Sequence, residues 1–381
     1  MTSLEKTSLW TAAHVRQIAD QSLPAIPLVT VADVAPILPE FDLWDLWPVQ
    51  TVDGKTALFD GWAVWMILSA PRLANPDDRH DIARIRMMTE RAGVWRDCGN
   101  LLPDGHCPGS REWAGSALYD PDQNLLTSFH TAAGRRGIPP TFEQRIFQTS
   151  ATLTVSDGLA NLQDWTPPQE CFVADGHRYV RVDHAQGIPG QIKGFRDPAH
   201  FRDPVGGSDY LLFTGSDGQS ESDWNGVIGV ARSTTGNHDR WDLLAPILSG
   251  DGLNNEQERP HVIVRDGLYY LFWSTQAKVF ADGGPIGPTG LYGAVAPSVL
   301  GPYVPLNGTG LVAPNPAAEP FQTYSWWVTD DLTVAGFVDL WGLHDRSMID
   351  HPELRRSQFG GVPAPRFRLA LDGETAHVIA S

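Results

Sequence analysis

The chain has 381 residues, 42% hydrophobic and 19% charged, so it is long enough to bury a large core and lacks the apolar poverty of a disordered protein. Acidic residues outnumber basic ones 45 to 28, and the formal charge of −17 argues against nucleic acid or an anionic membrane surface as a partner. Cys98, Cys107 and Cys171 lack paired CxxC spacing, so neither a disulfide framework nor a zinc site is indicated; buried thiols are expected, with a Cys98–Cys107 pair as the alternative.

The N-terminal stretch MTSLEKTSLWTAAHVRQIADQ has no basic region followed by an apolar core, and no run of about 18 apolar residues occurs elsewhere. No signal peptide and no transmembrane helix are therefore expected. Ser8 is placed as the cap of a short helix reaching Gln17, within a peripheral segment of about 35 residues. Asp77 to Arg86 is charged enough for a surface turn or helix. Strands are expected over Ala63 to Leu68, Tyr210 to Thr214, His261 to Val264, Tyr269 to Ser274 and Leu332 to Val338, with turns such as Asp266-Gly267. Thirty-seven glycines and 30 prolines punctuate these runs along the whole chain, and no linker-like shift divides it. The reading is one all-β domain over residues 1–381, for which a sandwich, a barrel and a propeller all remain open.

Three acidic segments carry candidate chemistry. Asp45 lies between two tryptophans in Phe41-Asp42-Leu43-Trp44-Asp45-Leu46-Trp47-Pro48, ahead of a proline expected to end regular pairing. An apolar wall there would raise its pKa, although a turn capped by Asp45 fits the same residues. FRDP occurs twice, at Phe195 to Pro198 and Phe201 to Pro204, and position does not say which copy is structural. In Asn255-Glu256-Gln257-Glu258-Arg259-Pro260 the two glutamates share one face if extended. Their repulsion would then raise one pKa, as a general acid requires, while Arg259 steadies the other. A solvated acidic loop is the alternative. Twelve histidines form no HExxH, and neither GxSxG nor a phosphate-binding glycine loop occurs, so no metal or cofactor is called for.

Taken in order, WDLWP at 44–48, REWAGS at 111–116, GFRDP at 194–198, NEQERP at 255–260, YYLFWSTQ at 269–276 and TYSWWV at 323–328 resemble glycoside hydrolase family 68. The resemblance spans roughly residues 8–375. It implies a five-bladed β-propeller with a funnel-shaped central pocket, acting on sucrose with retention through a covalent fructosyl-enzyme. It further implies Asp45 as nucleophile, Glu258 as acid/base and Asp197 as the carboxylate that stabilises developing positive charge. Trp44 and Trp113 match walls of the fructose pocket, Arg196, Glu256 and Tyr324 match polar contacts to sucrose, and Arg259 matches a support of the acid pair. Acceptors would be water, fructooligosaccharides or fructans. Members of the family mostly work outside the cell; without a visible signal, signal-independent export and a cytoplasmic location both stay open.

Three positions depart from the family pattern. Ala114 stands where relatives commonly have a serine that hydrogen-bonds the nucleophile, so Asp45 would be held by water or a shifted neighbour. Gln276 replaces an Arg or His on the acceptor side and resembles the hydrolysis-inclined β-fructofuranosidases, which favours hydrolysis and short-chain transfer over long levan. Asn255 stands where calcium-binding members tend to have Asp, so no structural calcium is expected. A noncatalytic glycan-binding propeller and a hydrolase of other furanosides are the rival functions.

Overall fold

A computed structural model describes residues 7–182, 191, 193–236, 238–344 and 346–379. Runs rich in β-branched and aromatic residues form antiparallel four-stranded meanders. The first contains β1 (Phe41–Thr51), β2 (Trp62–Pro71), β3 (Arg84–Arg91) and β4 (Val94–Asn100). The second contains β5 (Arg111–Asp120), β6 (Leu125–Ala133), β7 (Gln144–Ser156) and β8 (Leu159–Gln163). Next come β9 (Phe195–Arg202), β10 (Asp209–Ser216), β11 (Gly226–Ser233) and β12 (Leu248–Ser249). The fourth holds β13 (Glu258–Arg265), β14 (Leu268–Thr275), β15 (Gly290–Ala296) and β16 (Val304–Pro305). The last holds β17 (Thr323–Val328), β18 (Thr333–Leu340), β19 (Phe367–Asp372) and β20 (Thr375–Ile379).

The first strands of successive meanders contact one another in the cyclic order β1, β5, β9, β13, β17 and back to β1. This closed ring of radially arranged sheets is a β-propeller. Parallel pairing of β1 with β5, from Val49 opposite Ala117 to Thr51 opposite Tyr119, fuses the first two meanders into one ten-stranded sheet. Because meanders cover each other's faces, some interior strands are buried on both faces instead of alternating. β2 is buried at every residue from Trp62 to Ala70.

The expected strands all lie in this framework, except that Leu332 falls just before β18 with φ 66°. Asp266 (φ 51°) and Gly267 (φ 78°) form a two-residue hairpin loop closed by Arg265 opposite Leu268, as a primed turn requires. Ser8 caps no helix. It belongs to the short strand Ser8–Leu9, parallel to β12, and the helix Ala12–Arg16 starts after Thr11, whose extended backbone and bond to His14 Nδ1 (3.0 Å) make it the better cap. Trp10, 1% exposed, packs against Trp273, Phe280 and Tyr292, so the N-terminal segment contributes to the core. Pro48 is the last residue paired to β2, but β1 does not stop there: it changes partner to β5. The Asp77 to Arg86 stretch divides into a 3-10 helix, Pro76–Asp81, and the start of β3. All three cysteines are free, Cys107 and Cys171 buried and Cys98 partly so. No helix among the described residues is long and apolar enough to cross a membrane.

Candidate active site

Each first strand is interrupted at one level. The register shifts between Trp44 and Leu46 in β1, Trp113 and Gly115 in β5, Arg196 and Ala199 in β9, Glu258 and His261 in β13, and Tyr324 and Trp327 in β17. Within these bulges Asp45 (φ 28°), Asp197 (φ 60°), Arg259 (φ 56°) and Ser325 (φ 57°) adopt positive φ. Such a conformation costs a side-chain-bearing residue about 1–3 kcal/mol and persists where surrounding structure enforces it. A bulge re-aims a side chain that the pleat would otherwise turn into the sheet packing. All four line the central cavity, and Ala114 is their counterpart in β5.

That cavity has two adjoining lobes of about 430 and 330 Å³, which share Trp44, Asp45, Glu258 and Gln276. Arg259 and Tyr324 line the first; Trp113, Ala114, Arg196, Asp197 and Glu256 line the second. All the residues expected from sequence thus come to one place. Trp44 is held by His80, edge-on at 5.9 Å, and by the Arg79 guanidinium 5.3 Å above its ring. The Trp113 indole donates to the His80 carbonyl at 3.2 Å.

Arg196 organises the acids. Its Nη2 donates to Glu258 Oε1 at 2.8 Å and also to Glu256, and its Nε lies 3.7 Å from Asp197 Oδ2. The far oxygen of Glu258 accepts from the Tyr324 hydroxyl. Asp197 accepts from Thr214 Oγ1 at 3.0 Å and from the Arg259 amide at 3.4 Å, while its own amide donates to Thr131 Oγ1 at 2.9 Å. Arg196, not Arg259, therefore bridges the two glutamates. The bulge turns Arg259 beneath the acids, where Nη2 donates to the Leu46 carbonyl at 3.2 Å between the rings of Trp47 and Trp327.

Burial pushes the Asp45 carboxyl up to about 6, opposed by the Arg259 charge and reinforced by Asp197 and Glu258. Glu256 is pushed up to about 7 by burial first and the Glu258 charge second, against the pull of Arg196. Asp197 is also raised by burial, with Arg196 acting the other way and Glu258 with it. The site therefore sets carboxyls whose pKa values burial raises, Asp45 and Glu256 among them, beside fixed guanidinium charges, an arrangement common at catalytic sites.

Several cavity residues escaped the sequence reading. Ser325 adjoins the noted Tyr324, but only the bulge reveals that it lines the cavity together with Asp45. His80 sits in a stretch whose charge suggested surface, and Lys278 follows Gln276 by two residues; both line the two lobes. Gln144 Oε1 accepts from the Phe195 amide at 2.9 Å and lies 3.4 Å from Arg196 Nη1, with no motif to announce it.

A family model described as Levansucrase/Invertase matches residues 1–225 and 219–380. Levansucrase LscA of Pseudomonas savastanoi pv. glycinea is 31% identical over 373 residues, covering 87% of this chain and 84% of its own. Among solved structures, an inulosucrase from Halalkalicoccus jeotgali bound to kestose superposes with TM-score 0.90 and 38% identity, over 98% of this chain and 95% of that one. A levansucrase from Gluconacetobacter diazotrophicus gives TM-score 0.82 and 26% identity, over 98% and 90% of the two chains. With five of its six ordered motifs carried on one ring of bulged strands, the chain belongs to glycoside hydrolase family 68, the levansucrase/invertase family, and is a fructosyl-transferring enzyme.

Proposed function

We propose that the enzyme cleaves sucrose with retention, and that the five meanders are five blades of one catalytic domain spanning the chain. The observation that carries this reading is the convergence of Asp45, Asp197 and Glu258, from three different first strands, on one cavity. Ionised Asp45 attacks the anomeric carbon of the fructosyl unit and the bond to the glucosyl oxygen breaks as Glu258 delivers its proton. Asp197 faces the charge that develops on the fructosyl ring. Glu258 then takes a proton from water or a sugar hydroxyl, which releases fructose or a longer fructoside.

Trp44 and Trp113 supply apolar walls for the fructosyl ring, and Arg196, Glu256 and Tyr324 supply polar contacts. Asp45→Ala should abolish glucose release from sucrose; substantial residual turnover would refute the assignment. Sucrose binding by the wild type without any turnover would establish the noncatalytic alternative.

The neutral amide of Gln276, shared by both lobes, favours water and short acceptors over a growing fructan. Timed assay of free glucose against free fructose tests this: a ratio near one marks hydrolysis, and a large excess of glucose marks polymer synthesis. Action outside the cell belongs to the same proposal, checked by partitioning activity between medium and cells.

A further inference from the structure

Away from the cavity the fold gathers His200, Asp209 and His238, each offering a ligand atom, all within 4.8 Å of one another. It is the one such triple of metal-binding side chains among the described residues. His200 lies on β9, Asp209 opens β10, and His238 comes from the turn after β11. No spacing rule joins positions 200, 209 and 238, so only folding brings them together.

The geometry resembles three corners of a tetrahedral shell. His200 Nε2 is 3.0 Å from Asp209 Oδ1, and His238 Nε2 is 3.4 Å from Asp209 Oδ2. Around zinc, with bonds near 2.0–2.1 Å, tetrahedral ligand atoms stand about 3.3 Å apart; here the imidazoles reach different oxygens of the carboxylate, so the three ligand atoms, within 4.8 Å of one another, must draw inward onto the ion. The second contact is not a hydrogen bond: His238 Nε2 is buried and has no partner of that kind. Both imidazoles are pre-oriented by stacking, His200 on Phe129 (5.5 Å, 6° between planes) and His238 on Trp241 (5.7 Å, 12°). Arg202 Nη1, 3.0 Å from Asp209 Oδ2, competes for the carboxylate, but its side chain is 41% exposed and free to turn into water.

We propose that His200, Asp209 and His238 bind one zinc ion, with water completing the shell. Two imidazoles and one carboxylate suit zinc better than calcium, which prefers oxygen ligands. His200 is three residues beyond Asp197 along β9, roughly 10 Å at about 3.3 Å per residue, so the ion is structural: it fastens the turn after β11 to the third meander. The inference is independent of the sucrose reading.

The test uses the full chain, stripped with a chelator and titrated with zinc chloride or, in parallel, calcium chloride. One zinc per chain by calorimetry, a melting temperature raised by zinc but not by calcium, and loss of both effects in His238→Ala with sucrose cleavage unchanged are expected. Cobalt loading should give the intense visible absorption of a tetrahedral centre. Failure of the wild type to take up stoichiometric zinc, equal uptake by His238→Ala, or a weak octahedral cobalt spectrum would each overturn the proposal. His238 lies in a turn, so its variant decides the matter even if Asp209→Asn fails to fold.

Discussion

Arg196 donates to Glu258 at 2.8 Å through the same Nη2 that reaches Glu256, so one guanidinium nitrogen sets the spacing of two buried-site glutamates. A lysine in its place keeps the charge but has neither the planar fork nor the reach to hold both carboxylates and the neighbourhood of Asp197 together. Arg196→Lys is expected to lower kcat/KM for sucrose by roughly 100-fold, about 2.7 kcal/mol of transition-state stabilisation. Steady-state kinetics checks it, and a loss below threefold would remove Arg196 from its organising role.

The acid limb of the pH–rate profile should be set by Asp45. Attack requires the carboxylate, and burial places its pKa at about 6, so kcat/KM should rise with pH and level off above that value. An acid limb centred near the ordinary 3.8 would contradict this assignment.

The same shift has a stability consequence of defined sign. Asp45 titrates at about 6 in the folded chain against an ordinary 3.8, so between those values the folded state holds more protons than the unfolded state. Its contribution is fully present below about pH 4 and is lost as pH rises through 6. Above that range ionised Asp45 costs up to about 3 kcal/mol, which Asp45→Asn removes. The variant should therefore melt above wild type at pH 8 and level with it at pH 4; equal melting temperatures at both would count against the raised pKa.

Ser325 and Ala114 form a testable pair. The Ser325 hydroxyl is buried beside the cavity that Asp45 lines and has no hydrogen-bond partner among the described residues, so Ser325→Ala should change kcat less than about threefold and leave the acid limb where it is. Ala114→Ser supplies a donor from the neighbouring bulge, and a hydrogen bond to the carboxylate favours its charged form, so the acid limb should move to lower pH. Profiles of rate against pH check both, and an acid limb displaced upward in Ser325→Ala would show that its hydroxyl does serve Asp45.

Much of this site is legible because its residues occur in short, ordered motifs. WDLWP, GFRDP and NEQERP each hold an acid, and each spans the bulge that presents it. Local chemistry alone is weaker: Asp45 reads equally as a turn residue, since the φ of 28° that exposes it is enforced by two flanking sheet partners and not by its neighbours in sequence. Hidden features have the same origin. Arg259 stands beside Glu258 in the chain yet points to the Leu46 carbonyl, because a positive φ turns it away from the pair it was expected to support. Ser8 reads as a cap until β12, 240 positions later, offers it a strand partner. His80 hides in a charged run whose 3-10 turn folds back over Trp44.

The ring of bulged first strands makes activity a report on chain closure. Asp45 and Ser325 lie at opposite ends of the chain and meet only after the last meander docks against the first. A nascent chain with four meanders formed already carries Asp45, Asp197 and Glu258, but not the tyrosine that contacts Glu258 or the fifth bulge that completes the cavity around Asp45. Such a chain would hold its reactive acids in an open, hydrated groove and stay silent, so the first turnover marks the moment at which folding is complete.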